Sequence, residues 1–336
     1  MSVVNLAVVG CGQIADAHLK GIAALGSARL TWTQDIEADR AASAAERFGA
    51  ARSTASYEEV LSAPTGADAA AGDAPVDAVL LLLPHDLHLA FTVAAARAGK
   101  HVLVEKPMAL SEADGREMVR AAEEAGVILS VGQSTRCFPT FQKARSLIAE
   151  GAIGAVRNVA IQRLFYIEQL STDWRRDLSA CGGLYLPIFG SHDIDALLWL
   201  LDRSPSRVSA AVRAFTRASG GDSDGYIGLE FEARSEEESG AVASVQFSCC
   251  ARTSRADFVV VGDEGTLTIG RAKLLQNDEE VPLDQEEDPF ALQTRLFVEA
   301  VQGQRPPCAP GREVLRVLRT LDLARTASET GQPQEF

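Results

Sequence analysis

The run VVNLAVV, residues 3–9, leads directly into Gly10-Cys-Gly12-Gln-Ile-Ala15, and this junction constrains the fold more than any other stretch. A β-rich segment that turns on glycine into a helix is the opening of a dinucleotide-binding βαβ unit. Gly10 permits the tight turn, Gly12 lets the backbone approach a pyrophosphate, and the small Ala15 lets the helix pack close to the sheet. Gln13 and Ile14 lie at the helix N-terminus, where an anion would rest. Asp35 ends the second strand, where a carboxylate accepts the ribose hydroxyls of an adenosine. A 2′-phosphate there would meet a like charge, worth about 4 kcal/mol at about 4 Å and an effective dielectric near 20. NAD(H) is therefore expected over NADP(H), with Arg40 the nearby group that would favour the phosphate.

The alternation continues through residue 132. RLTWTQ, VDAVLLLL, HVLVE and VILSV read as strands; helices follow Gly12 and span Ile36–Phe48, Asp86–Ala98 and a segment opening at Ser111. Strands alternating with helices imply a parallel sheet with crossover helices, and strands apolar almost throughout imply a sheet covered on both faces. Ser111-Glu-Ala-Asp114 has the capping pattern of a helix that ends at Ala125-Gly126. Pro64–Pro75 has the composition of a surface loop.

With 336 residues and 46% apolar content the chain has material for two domains. Its longest apolar runs, Val79–Pro84 and Ala196–Leu201, fall far short of a membrane span. The N-terminus lacks a basic segment and a small-residue cleavage site, so it reads as a first strand, and the cytoplasm is the expected location. The 6 cysteines show no CxxC spacing, which argues against a metal cluster or a disulfide framework. A net charge of −14 disfavours nucleic acid and anionic membranes as partners.

Six segments then occur in one order: GCGQIA; Pro84-His85-Asp-Leu-His88; Glu105-Lys106-Pro107 after the fifth strand; GQSTRCFP (Gly132–Pro139); DWRRD (Asp173–Asp177); and GGLYLPIFGSHDID (Gly182–Asp195). Together they resemble the family of glucose-fructose oxidoreductases, inositol 2-dehydrogenases and rhizopine-catabolism proteins (Gfo/Idh/MocA), over essentially the whole chain. The resemblance implies an α/β architecture: a Rossmann doubly wound parallel sheet over residues 1–132, then an α/β domain with a large open, mostly antiparallel sheet over 133–336, for substrate binding and oligomerisation. The runs VRNVAIQRLFY, RVSAAVRAF, YIGLEFEA, AVASVQFSCC and DFVVVGDEGTLTI suit that sheet, with helices near Leu292–Val301 and Glu313–Ser328. One sheet face needs a cover, and a homodimer or homotetramer through this sheet is expected.

By the same resemblance Lys106 stands beside the nicotinamide and donates to the substrate oxygen, with a Lys-Pro bond that is often cis, while Glu105 supports cofactor or loop. Pro84, His85 and His88 belong with the cofactor. Arg136, Trp174 and Arg175 are substrate-side candidates, although Arg136 could equally form a domain-interface ion pair. On a regular helix Tyr185, Ile188 and His192 share one face. His192 matches a catalytic position, and a base there suits removal of a carbinol proton; Tyr185 could add its hydroxyl as a catalytic or substrate contact. The family's carboxylate four residues before the histidine is Ile188 here, and the third glycine of its usual run is Leu184. Asp193 and Asp195 read as solvated or N-terminal helix charges. The implied activity is NAD-dependent interconversion of a secondary alcohol and a ketone on a sugar, cyclitol or related polyol. Three alternatives remain: transient oxidation that cleaves a bond such as a glycosidic link, reduction of an imine or conjugated double bond, and a cofactor-binding homologue without catalysis.

Overall fold

The computed structural model describes residues 3–66, 69–70, 72–216, 218, 220–233, 240–283 and 287–336. The expected loop Pro64–Pro75 therefore falls in part, at Ala67, Asp68 and Ala71, outside the described residues. In chain order the elements are β1 Val4–Val9, α1 Ala15–Ala23, β2 Ala28–Gln34, α2 Ala38–Phe48, β3 Arg52–Thr54, α3 Tyr57–Ser62, β4 Ala78–Leu81, α4 His88–Arg97, β5 His101–Glu105, α5 Glu112–Glu124 and β6 Leu129–Gly132. There follow α6 Pro139–Ala149, β7 Val156–Tyr166, α7 Leu178–Cys181, α8 Ser191–Leu201, β8 Arg207–Arg213, β9 Asp224–Phe231, β10 Ala241–Ser248, β11 Cys250–Gly262 and β12 Thr266–Ile269. Last come β13 Leu274–Gln276, β14 Glu279–Glu280, α9 Pro289–Val301, α10 Gly311–Thr330 and β15 Gln334–Glu335.

The first sheet has 6 strands in the order β3-β2-β1-β4-β5-β6, every pair parallel. This is the doubly wound order, in which the chain reverses direction across the sheet beside β1 and leaves a crevice at the strands' carboxyl ends. Leu6, Val8, Leu30, Leu80 and Leu103 pack with Leu19 and Ile22 of α1 in the buried core, each large side chain contributing about 1.5–3 kcal/mol by burial. Ser111 caps α5 as its sequence pattern implies, accepting from Asp114 N at 3.1 Å.

The chain divides into two compact units, Met1–Ser134 with Glu287–Leu315, and Thr135–Glu286 with Arg316–Phe336. The linear boundary after residue 132 thus gives way to a chain that returns. α9, expected in the second domain, packs on α1, and its Phe297 and Val298 complete the core of the first sheet. Gly21 makes the approach possible, since a Cβ there would stand 3.1 Å from Phe290 O. Hydropathy marks α9 as amphipathic but carries no record of which surface receives it.

In the second unit 9 strands run β14-β13-β12-β11-β7-β10-β9-β8-β15, antiparallel except for β10 beside β7. Alternation is clean on β10, where Ala241, Ala243, Val245 and Phe247 are buried and Val242, Ser244 and Gln246 are exposed. α8 lies against β7 and α6, and Ile194, Leu197, Leu198 and Leu201 are buried. The opposite sheet face leaves Tyr226, Val242 and Val261 exposed at 50%, 49% and 36%.

The segment before α8 departs from the regular helix expected of it. Gly182 and Gly183 have φ of 76° and 134°, and a Cβ on Gly183 would come within 2.2 Å of Asp222 Oδ1. Leu186–Gly190 then forms a π turn, wider than an α turn. The 3.6-residue period that put Tyr185 and His192 on one face is broken between them.

Candidate active site

Gly10 has φ 93°, and a Cβ there would strike Leu82 O at 2.4 Å, so only glycine fits. A Cβ on Gly12 would meet nothing within 4 Å. The first bond of the turn runs from Ala15 N to Gly12 O at 3.1 Å, and Gly12, Gln13 and Ile14 are exposed. Their three amides have no partner among the described residues, and they open a helix whose dipole favours negative charge. A dinucleotide diphosphate fits that cradle.

Asp35 is 7% exposed at the carboxyl end of β2. Its Oδ2 accepts from Cys11 N at 2.8 Å and its Oδ1 from Glu37 N at 2.9 Å. The carboxylate thereby ties the glycine turn to the loop after β2, and each oxygen retains a lone pair for a ribose hydroxyl. Burial, then the Asp35 charge, pushes the Cys11 thiol up to about 12, which leaves it inert. Exposed Arg40 lines a cleft of about 260 Å³ between α1 and α2.

The Lys106-Pro107 bond is cis, and Lys106 is half-buried. Glu105 before it is 9% exposed; its Oε2 accepts from Lys106 N at 3.2 Å and its Oε1 lies 2.9 Å from His18 Nε2. His18 was not singled out in the sequence. The signal was there: it falls between Ala15 and Ile22 on the buried face of α1.

His88 corrects an expectation. Its ring is 0% exposed, with Nδ1 2.8 Å from Pro107 O and Nε2 3.0 Å from Leu83 O. The imidazole is sealed against direct cofactor contact and instead joins the end of β4 to the Lys106-Pro107 loop. Burial pulls it below its ordinary value against the two carbonyls. His85, 6% exposed, follows Pro84 with its ring 5.8 Å from that of His88.

In the second unit His192 begins α8, half-buried, with Nδ1 3.4 Å from Thr135 Oγ1. Tyr185 faces elsewhere than expected. Its hydroxyl donates to Asp193 Oδ2 at 2.6 Å, and its ring stacks on Phe247 at 3.6 Å with 2° between planes. Burial and the Asp193 charge raise the phenol well above its usual value. Arg163 of β7 grips the same carboxylate through Nε, 3.0 Å from Oδ2, and Nη2. A residue that is 0% exposed with its hydroxyl engaged is packing with a satisfied polar tip, so the catalytic or substrate-contact assignment does not carry over to Tyr185.

Arg136 is also buried, at 1%, and binds Asp195 through Nε at 2.8 Å and Nη2 at 2.7 Å. An ion pair is what is observed, but with both partners inside the second unit and not at a domain interface, and substrate contact is closed off. Asp193 and Asp195, expected as solvated charges, are both 0% exposed because each neutralises an arginine. Ile188 is 7% exposed, in the π turn. Asp222, also not singled out beforehand, anchors that turn by accepting from Leu184 N at 2.9 Å and Leu186 N at 2.5 Å. Trp174 and Arg175 are half-buried, the guanidinium 5.2 Å over the indole, and burial pulls the arginine's pKa down.

Among the described residues no group of three His, Cys, Asp or Glu side chains is arranged to hold a metal ion, and no helix is long and apolar enough to cross a membrane. Residues 4–133 match the model of an oxidoreductase family with an NAD-binding Rossmann fold, and residues 141–268 match the GFO/IDH/MocA C-terminal domain. A 1,5-anhydro-D-fructose reductase of Ensifer adhaerens is 30% identical over 98% of this chain and 97% of its own. scyllo-Inositol 2-dehydrogenase (NADP(+)) IolW of Bacillus subtilis (strain 168) is 36% identical over 42% of this chain and 39% of its own. The WlbA dehydrogenase of Bordetella pertussis, solved with NADH and UDP-GlcNAcA, superposes with a TM-score of 0.84 at 24% identity, covering 100% of this chain and 98% of that one.

Proposed function

Because the chain belongs to the Gfo/Idh/MocA family of oxidoreductases, we propose that it uses NAD(H) to interconvert a secondary alcohol and a ketone on a sugar, a cyclitol or a related polyol. It is an NAD(P)-dependent oxidoreductase acting on CH–OH groups, and the finer reading concerns cofactor, residues and substrate. One observation carries it. The unpartnered amides of Gly12, Gln13 and Ile14 and the side chain of Lys106 belong to the carboxyl ends of β1 and β5 in a single sheet, which is where doubly wound sheets bind their ligands.

When bound, the nicotinamide supplies or accepts the hydride. Gly12, Gln13 and Ile14 would hold the diphosphate of the dinucleotide, and Asp35 would accept from its adenosine ribose and disfavour a 2′-phosphate. Lys106 donates a hydrogen bond to the substrate oxygen and so stabilises the charge that grows there during reduction. His192 gives or takes the hydroxyl proton. Trp174 and Arg175 belong to the substrate's surroundings. The exposed sheet face around Tyr226, Val242 and Val261 is covered by a second copy in a homodimer or homotetramer. Support for a sugar or polyol comes from the named activities of the relatives above.

The test is titration of the purified chain with NADH and NADPH, followed by turnover on 1,5-anhydro-D-fructose, inositols and aldoses. Lys106→Ala should lower turnover about 10²-fold or more with NADH affinity unchanged. No saturable signal for either cofactor would remove the proposal. Turnover with tightly retained cofactor and no net change in NADH would favour transient oxidation instead.

A further inference from the structure

His18 and Glu105 form a buried pair that the proposed chemistry leaves unused. His18 is 0% exposed on α1, its Nε2 is 2.9 Å from Glu105 Oε1, and its ring meets the edge of Phe290 at 5.2 Å. Its Nδ1 has no hydrogen-bond partner among the described residues. An ionised carboxylate can only accept, so the proton shared with Oε1 sits on Nε2. His18 therefore donates to the carboxylate.

The other oxygen of Glu105 accepts the backbone N–H of Lys106 at 3.2 Å. The β6 backbone closes a further side, since a Cβ on Gly132 would stand 2.6 Å from Oε1. Burial alone would push the Glu105 carboxyl up, but the His18 hydrogen bond and charge, followed by the Lys106 charge and amide, outweigh it and hold it below its ordinary value. The ionisable groups that act on Glu105 are His18 from α1 and Lys106 beside it, and the Glu105 charge in turn acts on His88 of α4.

We propose that His18 is a positioning residue for Lys106: through Glu105 it fixes a buried negative charge against the lysine's backbone and keeps the lysine a cationic hydrogen-bond donor. The attraction between two charges acts on both, so a carboxylate held ionised favours the ammonium. This rests on the reading of Lys106 as the group that serves the substrate oxygen. His18 would thereby link the cofactor-binding helix to the state of that lysine.

Reductive methylation with ¹³C-formaldehyde places an NMR-visible dimethylamine on Lys106, identified by its loss in Lys106→Arg, and its titration is followed in the NADH-bound protein. Glu105→Gln should move its midpoint down by about one pH unit or more. His18→Phe should move it in the same direction by less, and His18→Gln, which keeps a donor at the Nε2 position, should restore it. If His18→Phe does not fold, the Gln variants at both positions carry the comparison. A midpoint that is unchanged in Glu105→Gln overturns the proposal, even if Lys106→Ala is inactive. A shifted midpoint with Lys106→Ala fully active supports the coupling and overturns the catalytic reading of the lysine.

Discussion

Tyr185 donates a 2.6 Å hydrogen bond to Asp193, and both residues are 0% exposed. Since Arg163 grips the same carboxylate, the phenol completes a network instead of facing a ligand. Tyr185→Phe should destabilise the protein by about 1.5–3 kcal/mol, the range for a hydrogen bond to a charged group, while turnover per folded molecule stays near wild type. Urea unfolding and initial rates measured on the same preparation test this. A turnover loss near 10²-fold without loss of stability would return the hydroxyl to the chemistry.

Arg136 and Asp195 form a bidentate pair with side chains 0% exposed on both sides. Removing one partner strands a buried charge, so Arg136→Met alone should cost about 3–5 kcal/mol. The double variant Arg136→Met/Asp195→Leu should recover most of that. Denaturation midpoints of the single and double variants give the coupling, and equal losses in both would mean that the pair contributes as packing alone.

Asp35 holds two backbone amides with its own oxygens, so its removal affects loop and cofactor together. Asp35→Asn keeps an acceptor and the shape while removing the charge. NADH affinity should fall about tenfold, close to 1.4 kcal/mol, and the ratio of NADPH to NADH affinity should rise. Fluorescence titrations with both cofactors decide it; an unchanged ratio would exclude the Asp35 charge from cofactor choice.

His88 and His101 both lie below their ordinary value of 6.5, chiefly through burial. The sign follows from which state binds the proton. As pH falls through about 6.5 the unfolded chain takes up protons that the folded chain refuses, so stability present above that pH is lost below it. The unfolding free energy should decline with a slope of at most about 1.4 kcal/mol per pH unit for each such histidine. His88→Asn should remove one histidine's share of the slope just below pH 6.5, and an unchanged slope would contradict the burial argument.

Much of the first unit was legible because its signals are local. A glycine that must adopt φ 93°, strands buried on both faces and a capping serine each depend on neighbours a few residues away. The short β3 and α3 left weaker signals and were not read, and α6 lacked a distinct start beyond Pro139. The return of α9 to the first unit was illegible for another reason, since an apolar helical face says that it must be covered and not by what.

The site divides along the same line. From the sequence came the expectation of open amides after β1 and of a carboxylate following β2, each set by a residue type at an element's end, whereas Lys106 and His192 were singled out by the family resemblance. Only the folded chain decided that Tyr185, Arg136 and His88 are satisfied internally, that Asp193 and Asp195 neutralise arginines, and that His18 reaches Glu105. Those outcomes depend on partners from distant elements, and the period between Tyr185 and His192 depended on a π turn anchored by Asp222. Whether a polar side chain meets a ligand or a neighbour is settled by where the rest of the chain comes to lie.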